Sequence, residues 1–116
     1  MAQIHIQDLK LRSIIGINDW ERDKKQDIII NIHITFNAEK AINSDNIKDT
    51  IDYKAITKRV IKLAESSKFF LLERMCAAIM DIVFDDKRVE EATVKIDKPH
   101  ALRFADSVSF RLTRKK

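Results

Sequence analysis

Lys98 stands directly before the only proline of the chain, at the end of the alternating run Ala92-Thr93-Val94-Lys95-Ile96-Asp97. Proline has no N–H to give a sheet ladder, so a central strand must stop, bulge or reach an edge there. Lys98 is thereby expected to have a rigid strand on one side and irregular backbone on the other. That placement fixes a side chain while leaving it accessible. An amine in a partly desolvated place of this kind can shuttle protons near neutral pH, whereas at a wetted strand end it is one more solvated lysine. The only glycine, Gly16, marks a second break, and Gly16-Ile17-Asn18-Asp19-Trp20-Glu21 puts a carboxylate shortly behind it. Glu21 reads equally as a surface residue of a charged turn. Glu73 follows Leu71-Leu72 near the start of a helical pattern, where the helix dipole favours an acid. The alternative use of such a carboxylate is to accept two parallel N–H bonds from a heterocyclic amidine. Tyr53, the only tyrosine, opens another helix behind Asp52, and the residues alone favour a packing ring with a wet hydroxyl.

Other chemistries find little support. His5 and His33 sit in Ile-His-Ile triplets on two strands, but a zinc site needs a third protein ligand and none stands at a fitting spacing. Surface histidines are the reading, and no metal is expected. One glycine cannot build a glycine-rich phosphate loop, and no nucleophilic serine or cysteine motif occurs. Cys76 is alone and lies in a helical apolar pattern, which reads as a buried structural thiol and points to a cytoplasmic protein. The first residues lack the cationic start and apolar run of a signal peptide, and no apolar stretch reaches the length of a membrane span. The formal net charge is +4, but Arg114, Lys115 and Lys116 supply much of it at an end expected to fray. A nearly neutral body with a basic tail is not the footprint of a nucleic-acid groove.

The elements that must hold these residues follow from periodicity. Ile28, Ile30, Ile32, Ile34 and Phe36 share one face of a strand over 26–36, with Asp27, Ile29, Asn31, His33 and Thr35 on the other. The segment 4–17 alternates with a phase slip between Ile6 and Leu9, and Asp19 to Lys25 turns between the two strands. Ala38 to Ser44 is compatible with a short helix, and Asn43-Ser44-Asp45-Asn46 with a turn. Tyr53, Ile56, Val60, Leu63 and Ala64 fall at helical spacing. After an interruption at Ser66-Ser67-Lys68, Leu72, Met75, Cys76, Ile79, Met80 and Val83 do the same. Ala92-Val94-Ile96 and Val108-Phe110-Leu112 complete two further strands. The order is β-β-α-α-β-β, an α+β arrangement with two helices on one face of an antiparallel sheet, and residues 1–116 read as one domain. Four strands with open edges can join further sheets edge to edge.

Taken together, Gly16-Ile17-Asn18-Asp19-Trp20-Glu21, Asp52-Tyr53, Leu71-Leu72-Glu73 and Lys98-Pro99 resemble the dihydroneopterin aldolase family over nearly the whole chain. The resemblance implies the tunnelling fold, whose element order agrees with the one above. It also implies a homo-oligomer, in which sheets of four subunits close a barrel, two rings commonly stack as an octamer, and active sites lie between subunits. Lys25-Gln26-Asp27-Ile28-Ile29-Ile30-Asn31, the stretch Glu65 to Arg74, and His100 to Ser109 look like the dihydroneopterin triphosphate 2′-epimerase branch. Asp19-Trp20-Glu21 looks closer to ordinary aldolases.

By that resemblance, Glu73 and the backbone around Leu72 would anchor the amino and ring N–H groups of a dihydropterin. Lys98 would act through water at the pterin ring nitrogen, and Tyr53 of a neighbouring subunit would handle protons near the side-chain carbons. Glu21 would orient Lys98 and the substrate hydroxyls. No cofactor is implied, because the dihydropterin ring imine itself accepts the electrons released when the C1′–C2′ bond breaks. Arg103 and His100 are candidate contacts for a triphosphate, with an Arg103–Asp106 loop pair as the alternative. The implied function is 2′-epimerisation, cleavage to 6-hydroxymethyl-7,8-dihydropterin and glycolaldehyde, or both, with epimerisation favoured. A dedicated biosynthetic aldolase, a non-catalytic oligomeric pterin-binding module and a metal-dependent enzyme of the same fold are the competing readings.

Overall fold

The computed structural model describes residues 1–116. The elements are β1 (Ala2–Ile15), β2 (Gln26–Phe36), α1 (Glu39–Ser44), α2 (Tyr53–Ser66), β3 (Lys68–Phe69), α3 (Leu72–Phe84), β4 (Val89–Lys98) and β5 (Val108–Lys115). They build one sheet in the order β3-β1-β2-β4-β5, antiparallel except where β3 runs parallel to the end of β1.

β2 lies at the centre because it can bury one face completely. Ile28, Ile30, Ile32 and Ile34 are inaccessible to solvent and meet Ala92, Val94 and Ile96 of β4 on the same face. Period-two alternation of β-branched residues suits such a half-buried strand. Onto this face pack Ile56, Val60 and Ala64 of α2, and Met75, Cys76, Ile79, Met80 and Val83 of α3. Asp52 caps α2 by accepting the Ala55 N–H at 3.0 Å, and the buried Ser13 hydroxyl donates to the Ala64 carbonyl at 2.6 Å. The second bond pins the C-terminal end of α2 to the end of β1.

The slip between Ile6 and Leu9 is a bulge in which Asp8 takes φ 52°. Asn31 repairs the lost pairing: its Oδ1 accepts the Asp8 N–H at 2.9 Å and its Nδ2 donates to the Asp8 carboxylate at 3.1 Å. On the helix-free face His5 and His33 stand opposite each other in the ladder, with ring centroids 3.6 Å apart. Burial, then the charges of His5 and Arg111, holds the His33 imidazole below its usual range. Among the chain's His, Cys, Asp and Glu residues there is no group of three or more placed to hold a metal ion.

Two expectations change. The sheet has a fifth strand, β3, whose two residues are too few for any periodic signal. The basic end is not frayed: Arg114 and Lys115 are in β5, Arg114 pairs with Asp81 at 2.9 Å, and Lys116 N–H donates to Glu90. The short helix allowed over Ala38 to Ser44 does form, as α1, with Asp45 at φ 53° ending it. No helix is long and apolar enough to cross a membrane.

Candidate active site

Both breaks in the chain meet at one ion pair. Lys98 is the last residue of β4, opposite Val108, and Pro99 ends the strand behind it. Its Nζ lies 2.8 Å from Glu21 Oε2 and 3.4 Å from the Ile15 carbonyl at the end of β1. The two side chains are only 12% and 6% exposed. Glu21 is therefore not a surface residue of its turn.

Burying a carboxylate is costly unless hydrogen bonds replace water. Here both oxygens are served. Oε1 accepts from the Asn18 side chain at 2.8 Å and the Asn18 backbone N–H at 3.2 Å, and Oε2 accepts from Gln26 Nε2 at 3.0 Å as well as from Lys98. Burial works to raise the pKa of Glu21, but the bonds from Lys98, Gln26 and Asn18 and the Lys98 charge outweigh it. They hold the group down at about 2. The turn that delivers Glu21 is a single 3₁₀ turn, Asp19–Glu21. Gly16 makes room for it: a Cβ there would stand 2.2 Å from the carboxyl carbon, on a backbone at φ +140°. Only glycine fits that place.

The start of α3 comes to the same corner. β3 pairs Phe69 with Ile15, and the Gly16 N–H donates to the Phe69 carbonyl at 3.1 Å, so Leu72 and Glu73 follow within a few residues of the Glu21 turn. Leu72 is half-buried against the core, while Glu73 is exposed on the first turn with no ion-pair partner. Tyr53 is elsewhere. It begins α2, whose other end is tied to Ser13 near Lys98, and a helix of 14 residues runs about 20 Å. Tyr53 is half-exposed in a cleft of about 490 Å³ with Ile47, Lys54 and Lys58. Within the single chain, then, Lys98, Glu21, Leu72 and Glu73 share one end of α2 and Tyr53 occupies the other.

His100 and Arg103 lie in the loop 99–107. His100 Nε2 is 3.9 Å from Asp27, and Arg103 rests 5.4 Å from the centre of the Phe104 ring. No Arg103–Asp106 pair forms. Cys76 is fully buried, and burial pushes its thiol up to about 11.

Sequence reasoning missed Asn18 and Gln26 as individual residues. The spacing of Asn18 and Glu21 is that of a capping box, a signal that was there to be used. Gln26 carried none, because a glutamine at a strand start has no local reason to reach back to a carboxylate.

The FolB dihydroneopterin aldolase family model matches residues 4–113. The chain is 46% identical to the dihydroneopterin triphosphate 2′-epimerase of Pseudomonas aeruginosa, over 97% of this chain and 91% of that protein. It is 44% identical to the same-named protein of Escherichia coli K12, over 97% and 93%. Among solved structures, the E. coli dihydroneopterin aldolase in complex with neopterin superposes with a TM-score of 0.93 at 26% identity, covering 98% of this chain and 99% of that one. A fold shared end to end, a sequence match over nearly its whole length, and a buried lysine–glutamate pair at the strand end lead to one conclusion: the chain belongs to the dihydroneopterin aldolase family.

Proposed function

We propose that this protein is a dihydroneopterin triphosphate 2′-epimerase that works by retro-aldol and aldol steps, with cleavage to 6-hydroxymethyl-7,8-dihydropterin and glycolaldehyde as its competing outcome. The observation that carries the chemistry is the buried Lys98–Glu21 pair, in which the ammonium is held at 2.8 Å by a carboxylate fixed on both oxygens. The epimerase branch rests on the higher identity to the two epimerases, 46% and 44%, than to the E. coli aldolase structure, 26%.

In this reading Glu73 and the Leu72 backbone hold the pterin amidine, and Lys98 delivers and removes a proton at the ring nitrogen, directly or through water. Loss of the 2′-hydroxyl proton turns that oxygen into an aldehyde carbonyl as the C1′–C2′ bond breaks, and the bonding pair moves into the ring imine. The enol that results is protonated at C1′ to complete cleavage. If the aldehyde is retained, C1′ attacks its other face, the aldehyde oxygen regains a proton, and the 2′-epimer forms. No external oxidant or electron sink takes part. Tyr53 handles protons at the side-chain carbons.

Tyr53 begins α2 and Lys98 lies near the other end of that helix, about 20 Å away along it, so the two meet on one substrate only if two copies contribute. Exposed Ile17, Trp20, Phe70 and Leu71 at the Lys98 end, and Ile47 beside Tyr53, suit a head-to-tail contact. We therefore read the protein as a cytoplasmic homo-oligomer, a tetramer or octamer, with sites between subunits. Arg103 and His100 are assigned to the triphosphate.

The second reading, a biosynthetic aldolase, is favoured by Asp19-Trp20-Glu21. Product analysis on 7,8-dihydroneopterin and its triphosphate decides between them. Rapid appearance of the 2′-epimer of the triphosphate supports the epimerase; net glycolaldehyde release from the dephosphorylated substrate without epimer supports the aldolase.

A further inference from the structure

The two halves of the proposed site come from separate segments, and beside the β1–β3 backbone pairing one side chain bonds both of them. Arg22, directly after Glu21, is half-buried, and its Nη1 donates to the Gly16 carbonyl at 2.9 Å and to the Phe69 carbonyl at 2.9 Å. Its Nη2 donates to the Lys68 carbonyl. The guanidinium carbon sits 3.9 Å from the centre of the Phe70 ring. No carboxylate touches it, so this is not an ion pair but a fork spent on backbone.

A planar guanidinium can bond carbonyls on two segments at once while stacking on a ring, and an ammonium cannot. One segment is the glycine turn that makes room for Glu21. The other, Lys68 to Phe70, runs straight into Leu72 and Glu73. Phe70 and Leu71 are 61% and 49% exposed, so between the β1–β3 pairing at Phe69 and the half-buried Leu72 the fork and the Phe70 ring beneath it are what restrain this stretch.

We propose that Arg22 is a positioning residue: it sets the distance between the Lys98–Glu21 pair and the start of α3 that anchors the pterin, so that the site is assembled before substrate arrives. This rests on the site reading given under Proposed function. If the fork is lost, the anchor samples other positions, and apparent affinity falls by the fraction of time it is in place. Substrate binding then rebuilds the geometry, so the chemical step is largely kept.

The test is steady-state kinetics and direct binding of 6-hydroxymethyl-7,8-dihydropterin to the assembled protein. Arg22→Ala should raise KM and the product Kd by about 10-fold with kcat within about 3-fold, and Arg22→Lys should recover only part of the loss. Exchange of the Gly16 N–H, which bonds Phe69, should quicken in both. A merely structural role would lower Tm and leave KM and Kd alone, and that result overturns the proposal. So does a fall in kcat with KM unchanged. If both arginine variants fail to fold, Phe70→Leu, which removes only the ring under the guanidinium, decides the matter: a raised KM supports the proposal and an unchanged one overturns it. Lys98→Ala run alongside separates the two claims. Full turnover in that variant sinks the site reading, whereas an inactive Lys98→Ala beside arginine variants that bind normally sinks only the role of Arg22.

Discussion

Glu21 draws four N–H donors onto two oxygens in a site nearly closed to water, and its behaviour follows from that arrangement. Its carboxyl, usually near 4.5, is held at about 2 in the folded protein. A group depressed on folding stabilises the native state above its unfolded value, and the contribution disappears as pH falls through the folded one. Wild type should therefore lose on the order of 3 kcal/mol between about pH 4.5 and pH 2 from this residue. Glu21→Gln should lack that part of the acid lability; denaturant titrations across this range that run parallel for the two proteins would count against the coupling. Gly16→Ala tests the same site from its other wall. A methyl group there displaces the carboxylate and strains the backbone, so the variant should lose most turnover while keeping its fold by circular dichroism. Lys98→Ala should lower turnover by about 10²–10⁴-fold with a much smaller change in substrate affinity. Unchanged turnover would remove Lys98 from the mechanism.

The sheet ladder turns these residues into a site. β4 and β5 remain paired to Lys98 and Val108, and Ser107 closes the base of the intervening loop by donating to Asp97 at 2.9 Å. The loop 99–107 therefore leaves the sheet at Lys98 itself, with Arg103 exposed and free of any carboxylate partner. A cation so placed is available to a phosphate chain. Arg103→Ala should raise KM for the triphosphate several-fold and barely alter kinetics on dephosphorylated dihydroneopterin, the signature of lost binding to a remote group. Equal losses on both substrates would show that Arg103 serves the loop instead.

α2, about 20 Å long, separates Tyr53 from the end of the molecule that holds Lys98, and the proposed two-chain site predicts an oligomer. Light scattering should show at least a tetramer. Mixing provides the sharper measurement: Lys98→Ala and Tyr53→Ala subunits, each inactive alone, should regain activity when unfolded together and reassembled, with up to about one site in four intact. Failure to recover any activity from correctly assembled mixtures would mean that each site is built from one chain.

Much of this was legible in the residues because it depends on local rules. The alternation of Ile28 to Phe36, the helical spacing of Met75 to Val83, the slip at Ile6 to Leu9 and the stop at Lys98-Pro99 each reflect backbone geometry that neighbours in sequence impose. What stayed hidden depends on approach between distant segments. Glu21 was open to being a surface acid until the fold brought Lys98, 77 residues away, and Gln26 to its oxygens. β3 exists only because two residues land beside the end of β1, and Arg22 finds its partners 46 and 47 residues on. Periodicity reports which face of an element is apolar, since burial acts on every turn or pleat in the same way. It does not report which polar groups will be desolvated together. That is settled when the helices close over the sheet and a buried carboxylate has only the donors within reach to replace water.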